Sequence, residues 1–198
     1  MADMDEPALT ASVQREPWDG ENVMEYRLRH LAMLPEGEWL SVDTDMVIQR
    51  DLSKVFAFPF DVAVTQRDGP IWDTNGNDIV KYMPYNAGVV WWRNAQFWKD
   101  AHAWILQQPD AIKRWYGDQL ALHVMVPKYN ALKLHCDNFN YSPHRADEDV
   151  SRRFVVHYKG ARKGWMLQRK DMIEEHPGRV DEPAYIEARE AFRRSRSS

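Results

Sequence analysis

The run Trp39-Leu40-Ser41-Val42-Asp43-Thr44-Asp45 constrains this chain more than any other stretch. Its apolar residues read as a short buried strand, and the strand stops at two carboxylates one residue apart. Carboxylates at a strand end are costly to bury without a partner. At the carboxyl edge of an open α/β sheet, where ligands bind, a divalent cation is such a partner. In a solvated turn, water serves instead, and on these seven residues alone both readings stay open.

The flanking pattern favours a layered α/β domain. Val23, Tyr26, Leu28, Leu31 and Leu34 recur at helical spacing, with Pro35 and Gly37 ending the helix just ahead of the acidic strand. Residues 51–56 read as one helical turn, and 60–65 alternate as a second strand. The segment 67–78, rich in Asp, Asn, Gly and Pro, reads as a long surface loop of the kind that carries function. A strand over 83–92 precedes a helix capped by Asn94, whose stripe Phe97, Trp98, Ala101, Trp104 and Ile105 reads as core. Residues 115–122 read as a loop opening a helix, 129–134 and 154–158 as strands, and 135–143 as a loop too polar to be buried. A strand over 8–14 and an amphipathic helix over 183–194 complete the reading. Helices between strands point to an α/β fold with a mixed, mostly parallel sheet. The division is an irregular segment 1–20, one domain over 21–167 and a charged helical tail over 168–198.

Bulk properties remove several classes of function. A net charge of -4 supplies no general field for nucleic acid, and the basic Arg193-Arg194-Ser195-Arg196 end is local. The single Cys136 forms no internal disulfide, which fits a reducing compartment; with no apolar run of membrane-spanning length and no signal-like start, the cytoplasm is the expected location. Nine Trp, eight Tyr and seven Phe demand either a large aromatic core or aromatic-lined surfaces. Trp72, Trp91, Trp92 and Trp115 are the candidates for stacking on sugars, although most Trp in such a chain belong to the core.

Three further motifs follow the acidic strand with its Arg50-Asp51-Leu52. They are Tyr85-Asn86-Ala87-Gly88-Val89, then Gly117-Asp118-Gln119-x-x-Leu122, then His157-Tyr158-x-Gly160-x-x-Lys163-x-Trp165. Taken alone, Asp118 and Gln119 also suit a helix start, Asn86 a turn, His157 a hydrogen-bonded core position and Lys163 a solvated loop. Together and in this order, over residues 24 to 166, the four segments resemble the retaining glycosyltransferases of the glycogenin and bacterial lipopolysaccharide galactosyltransferase type. The last motif is the most specific, with five residue types fixed over nine positions.

The resemblance implies the GT-A nucleotide-diphospho-sugar transferase fold, here shortened at the front, because the 42 residues ahead of Asp43 hold only a strand and a helix. It implies a hexosyl transfer, with retention, from a nucleotide-diphosphate sugar to a glycan, protein or small-molecule acceptor. Asp43, Asp45 and His157 would ligate Mn2+ or Mg2+, a hard donor set that leaves positions for phosphate oxygens. Gly160 and Lys163 would clamp the diphosphate, Asn86 and Gly88 would line the sugar and acceptor side, and Asp118 and Gln119 would lie beneath the donor sugar as catalytic residues. Gly164 departs from the pattern, which usually has proline there. Two rivals remain: a non-catalytic carbohydrate- or protein-binding module on the same scaffold, and a phosphohydrolase using the same carboxylates.

Overall fold

The computed structural model describes residues 22–72 and 75–166. The strand expected over 8–14 and the helix expected over 183–194 lie outside them. Helix α1 (Val23–Met33) leads into β1 (Trp39–Val42), and the chain then turns into β2 (Met46–Ile48). A 3-10 turn over Ser53–Ala57 precedes β3 (Val62–Gln66), and β4 (Tyr85–Trp92) follows the expected surface loop. Helices α2 (Gln96–Leu106), α3 (Asp110–Arg114) and α4 (Gly117–Met125) come next, then β5 (Ala131–His135), the single turn α5 (Cys136–Phe139) and β6 (Val155–His157). Among the described residues no helix is long and apolar enough to cross a membrane.

Four strands form a mixed sheet in the order β1-β4-β3-β5, and β2 pairs with β6 in a separate two-stranded ladder. Both β1 and β3 run antiparallel to β4, whereas β5 runs parallel to β3. Three of the four strands therefore point the same way and only β4 opposes them. Their carboxyl ends lie on one edge, together with the amino end of β4.

Strand β4 is central and buried along its whole length, so its apolar run reads continuously rather than alternating. Val62, Val64, Val90 and Trp92 face one layer, where Leu28, Phe97, Trp98, Ala101, Ile105, Ala121 and Leu122 cover them. Ala63, Val89 and Trp91 face the other, against Val55, Phe60, Leu132, Leu134, Phe139 and Phe154. Consecutive Trp91 and Trp92 thus enter opposite layers and both are buried, which removes them from the set of sugar-stacking candidates. Trp72 and Trp115 stay 64% and 60% exposed. The stripe on α2 is core as expected, but the cap position falls on Ala95 rather than Asn94, whose side chain accepts the Gln96 N–H at 3.0 Å from one residue further out.

Two other expectations are corrected. Strand β1 is a half-buried edge strand, with Val42 at 38% exposure, because it has a neighbour on one side only. The segment 135–143 is not wholly a surface loop: Phe139 and Asn140 are buried. Asn140 tolerates burial because its side chain is hydrogen-bonded at both ends, to Thr65 and His157.

Candidate metal centre at the sheet edge

Asp43 and Asp45 stand where the chain changes sheets. The Asp43 N–H donates to Gly88 O at 2.9 Å, continuing the β1–β4 ladder, and the Tyr158 N–H donates to Asp45 O at 2.8 Å, opening the β2–β6 ladder. Met46 lies opposite His157 in that ladder. The sequence-distant imidazole is delivered to the acidic pair by strand register.

His157 Nε2 lies 3.0 Å from Asp45 Oδ1 and 3.7 Å from Asp43 Oδ2. One ligand atom from each residue falls within 4.8 Å of the other two. Adjacent ligands around an octahedral ion sit about 3 Å apart, so the spacing suits one small divalent cation.

The protonation of His157 is set from behind. The Thr65 hydroxyl donates to Asn86 O at 3.1 Å, the Asn140 amide donates to Thr65 Oγ1 at 3.0 Å, and His157 Nδ1 lies 2.8 Å from Asn140 Oδ1. Each step leaves one direction for the next, so Nδ1 carries the hydrogen and donates it. Burial, reinforced by the Lys159 charge and opposed by Asp43 and Asp45, depresses His157 to about 4. The ring is therefore neutral near pH 7, and its Nε2 lone pair faces carboxylate oxygens with no hydrogen between them. Acceptors converging in this way call for a cation, and two carboxylates with one imidazole fit Mn2+ or Mg2+. A ligating histidine whose other nitrogen is held by a hydrogen bond is the expected supporting arrangement.

A β-bulge brings the Tyr85–Val89 motif in. Val64 lies opposite Val90 but Thr65 lies opposite Asn86, so residues 87–89 swell out of register. Asn86 Oδ1 takes the Gly88 N–H at 2.8 Å, satisfying a main-chain donor within the irregularity. Asn86 is thus a buried strand residue rather than a turn. A Cβ on Gly88 would lie 2.4 Å from Met46 Cε and 2.9 Å from His157 Cε1. Glycine is the residue that admits the imidazole here.

Arg27 on α1 is a site residue that the sequence reading missed. Its guanidinium pairs with Asp43 Oδ1 at 2.9 Å and Asp118 Oδ2 at 3.1 Å, and donates to Ala87 O at 2.7 Å. It ties the acidic strand, the bulge and α4 together. Burial pushes the Asp118 carboxyl up, while Arg27 and the Gln119 N–H pull it back. Asp118 opens α4 as a helix start would, yet it also faces the site. Gly117 fixes its depth, since a Cβ there would meet Ile112 O at 2.5 Å and Ile105 Cδ1 at 2.6 Å. Gln119 Oε1 accepts from Arg67. Lys163, largely exposed, reaches Asp45 Oδ2 at 3.3 Å, and Gly160 adopts φ +57 in the turn before it, a conformation natural to glycine. No Cβ contact would be made at Gly164, so glycine is not required there by space.

Replacing Asn140 by alanine strands the His157 Nδ1–H in a buried setting, at a cost of about 1–3 kcal/mol. It also frees the ring to rotate, and Mn2+ affinity is expected to fall about 10–100-fold by calorimetry. An unchanged affinity would show that Asn140 does not orient the imidazole.

The lowered His157 value sets the sign of the pH dependence. A proton competes with a cation for Nε2 only when the pH approaches the imidazole's own value, which is about 4 rather than the ordinary 6.5. Mn2+ affinity is expected to stay level from about pH 8 to about pH 5.5 and to weaken below that. A decline centred near an unperturbed histidine value would contradict it.

No family model matches the sequence, and no curated protein matches it either. Solved structures do share its architecture. A glycosyltransferase involved in the glycosylation of the major capsid of PBCV-1 aligns at TM-score 0.55 and 15% identity, over 82% of this chain and 82% of that one. The galactosyltransferase LgtC, solved with donor and acceptor sugar analogs, aligns at TM-score 0.50 and 16% identity, over 80% of this chain and 68% of that one. The fold is therefore of the GT-A glycosyltransferase type, a mixed α/β sheet flanked by helices.

Proposed function

We propose that this chain is a metal-dependent glycosyltransferase that moves a hexose, with retention, from a nucleotide-diphosphate sugar to an acceptor hydroxyl. The observation that carries the reading is the convergence of Asp43, Asp45 and a neutral, back-bonded His157 at the carboxyl edge of the sheet. That edge is where open α/β sheets place their ligands. Residues 21–167 would form the catalytic unit, and the lone, half-buried Cys136 thiol suits a cytoplasmic setting.

When bound, Mn2+ or Mg2+ supplies a Lewis acid for the diphosphate leaving group, a role worth several kcal/mol. Lys163, already beside Asp45, would place its ammonium on the same phosphates, and the Gly160 main chain admits them closely. Asp118 would accept a hydroxyl of the donor sugar while Arg27 holds its carboxylate. Gln119, its carbonyl oxygen occupied by Arg67, keeps its amide hydrogens for the region of the anomeric carbon. Asn86 and Gly88 would line the sugar and acceptor side.

Both Asp118 oxygens are engaged, Oδ2 by Arg27 and Oδ1 by the Gln119 N–H at 2.8 Å. That speaks against a covalent glycosyl-enzyme and for internal return. The bond from the anomeric carbon to the phosphate oxygen breaks, and the acceptor oxygen attacks the face it leaves. The acceptor's proton passes to the departing phosphate.

The test is calorimetry of nucleoside diphosphates with and without Mn2+, followed by incubation with the matching nucleotide sugars. Mn2+-linked binding and sugar transfer support the reading. Binding of glycans without any metal requirement, on the exposed Trp72 and Trp115, would support a binding module instead. Inorganic phosphate release would indicate a phosphohydrolase.

A further inference from the structure

Arg67, which follows β3, grips three consecutive carbonyl oxygens just ahead of Asn86. Its main-chain N–H donates to Pro84 O at 2.8 Å, and its guanidinium donates to Met83 O and, at 2.7 Å, to Tyr85 O. The other terminal nitrogen of the guanidinium crosses to α4 and donates to Gln119 Oε1. A planar fork committed on one side to main-chain oxygens presents its remaining hydrogens in a fixed direction.

A guanidinium has donors and no acceptor, so the atom of the Gln119 amide that faces it is the oxygen. The amide nitrogen is thereby turned away from Arg67, and among the described residues it donates to nothing. Gln119 thus joins a held orientation to two hydrogens without an acceptor. The neighbouring Asp118 shares Arg27 with Asp43, which sets the amide at the same edge as the metal centre.

The orientation decides what chemistry the amide supplies. An oxygen turned to the anomeric carbon would steady positive charge there, whereas N–H groups steady negative charge, which grows on the phosphate oxygen as it leaves. Arg67 also draws electron density through the amide, making its hydrogens better donors. We propose that Arg67 is a positioning residue that turns Gln119 so that its NH2, and not its oxygen, serves the reaction, as a hydrogen-bond donor to the departing phosphate oxygen. The inference rests on the glycosyltransferase reading above and assigns the acting atom of Gln119 within it.

A first measurement on the full chain needs no substrate. Gln119→Glu sets a carboxylate against the guanidinium, and by NMR titration that carboxyl should lie about 1–3 pH units below the same carboxyl in the double variant Arg67→Met with Gln119→Glu. Equal values would show that Arg67 does not hold this side chain, and would overturn the proposal.

The second measurement takes the nucleoside diphosphate, among the four common bases, that binds with Mn2+, and follows its release from the nucleotide-hexoses of that base. Gln119→Glu keeps an oxygen in place and removes both hydrogens. Its kcat should fall at least about 100-fold while KM and Mn2+-linked diphosphate binding stay within about threefold. Repulsion of the diphosphate by the new charge would instead weaken binding. Arg67→Met should lower kcat about 10–100-fold in the parent, but by no more than about twofold in a Gln119→Leu background, because its effect passes through the amide. Arg67→Lys, which keeps a donor for Oε1, should recover part of the loss, and the Gln119→Glu arm stands whether or not Arg67→Met folds.

A Gln119→Glu protein active within about threefold, a loss carried by KM or by diphosphate binding, or an equal cost of Arg67→Met in both backgrounds overturns the proposal. Each leaves the Mn2+-linked nucleotide site standing. If no nucleoside diphosphate binds with Mn2+, or none of its nucleotide-hexoses is turned over, the glycosyltransferase reading falls and this role of Gln119 with it.

Discussion

Asp45→Asn is expected to lower Mn2+ affinity, and Mn2+-linked nucleotide binding with it, by at least about 100-fold. Asp45 holds the middle of the cluster. One carboxylate oxygen faces His157 Nε2 at 3.0 Å and the other faces the Lys163 ammonium at 3.3 Å. An amide of the same shape removes one negative charge and must turn either its NH2 toward Lys163 or its NH2 toward the imidazole. The first arrangement repels the ammonium, and the second gives His157 Nε2 a hydrogen that blocks a cation. Folding should hardly notice. The Lys163 side chain is 62% exposed, and ion pairs at such positions contribute about 0–1 kcal/mol. The discriminating result is a thermal midpoint near that of the parent together with lost Mn2+-dependent nucleotide binding and lost transfer. Binding that survives within about threefold would remove the metal centre from the account.

Gly88→Ala should damage both stability and the site. The added methyl would stand 2.4 Å from Met46 Cε, 2.9 Å from His157 Cε1 and 3.0 Å from Asn86 Oδ1. Met46 can swing its terminal methyl aside. The imidazole cannot retreat as freely, because Asn140 holds Nδ1 at 2.8 Å, and Asn86 is committed to the Gly88 N–H. Overpacking of this sort costs about 1–3 kcal/mol. The ring, displaced by a few tenths of an ångström, should lose a further 10–100-fold in metal affinity. A thermal melt and an Mn2+ titration read the two effects separately. An unshifted melt with unshifted affinity would mean that the bulge gives way where the geometry says it is tight.

Much of this arrangement was visible in the sequence, for reasons that can be named. Helix α1, strand β5 and the core stripe of α2 follow from periodicity, because each buries one face against a neighbour, whereas β3, β4 and β6 follow from short apolar runs buried on both faces. That Asp43, Asp45 and His157 meet is what the resemblance of their motifs to the glycogenin-type glycosyltransferases implies, and spacing alone would not have brought the imidazole to the acidic pair. Arg27 could not be read in the same way. On α1 the apolar positions carry the pattern, and an arginine there looks like any other charged helix residue until Asp43 and Asp118 are seen beside it. The one available hint was that two carboxylates at a strand end call for a cation, and α1 leads directly to them. Asn140 was hidden for a related reason. Polar residues clustered over 135–143 look solvated, and only the partners Thr65 and His157, 75 and 17 residues away, make burial affordable. Trp91 and Trp92 were ambiguous because neighbours in a strand face opposite ways, and nothing local says that both layers are covered. The half-burial of β1 likewise depends on its place at the end of the sheet order, which pairing alone decides.

The passage from β1 to β2 takes three residues, and the main chain is pinned by hydrogen bonds at Asp43 and Asp45, so only Thr44 lies between the two anchors. The separation of the two carboxylates is consequently a property of the backbone, written into how two ladders are laid against each other, and not of side-chain rotamers. One extra residue at Thr44 would part them by about the rise of a strand residue, some 3.3 Å, which no rotamer of aspartate recovers. The long segment after β3 can lengthen or shrink without that penalty. Divergence in this chain should therefore gather in its loops, while the count of residues across this short crossing stays fixed.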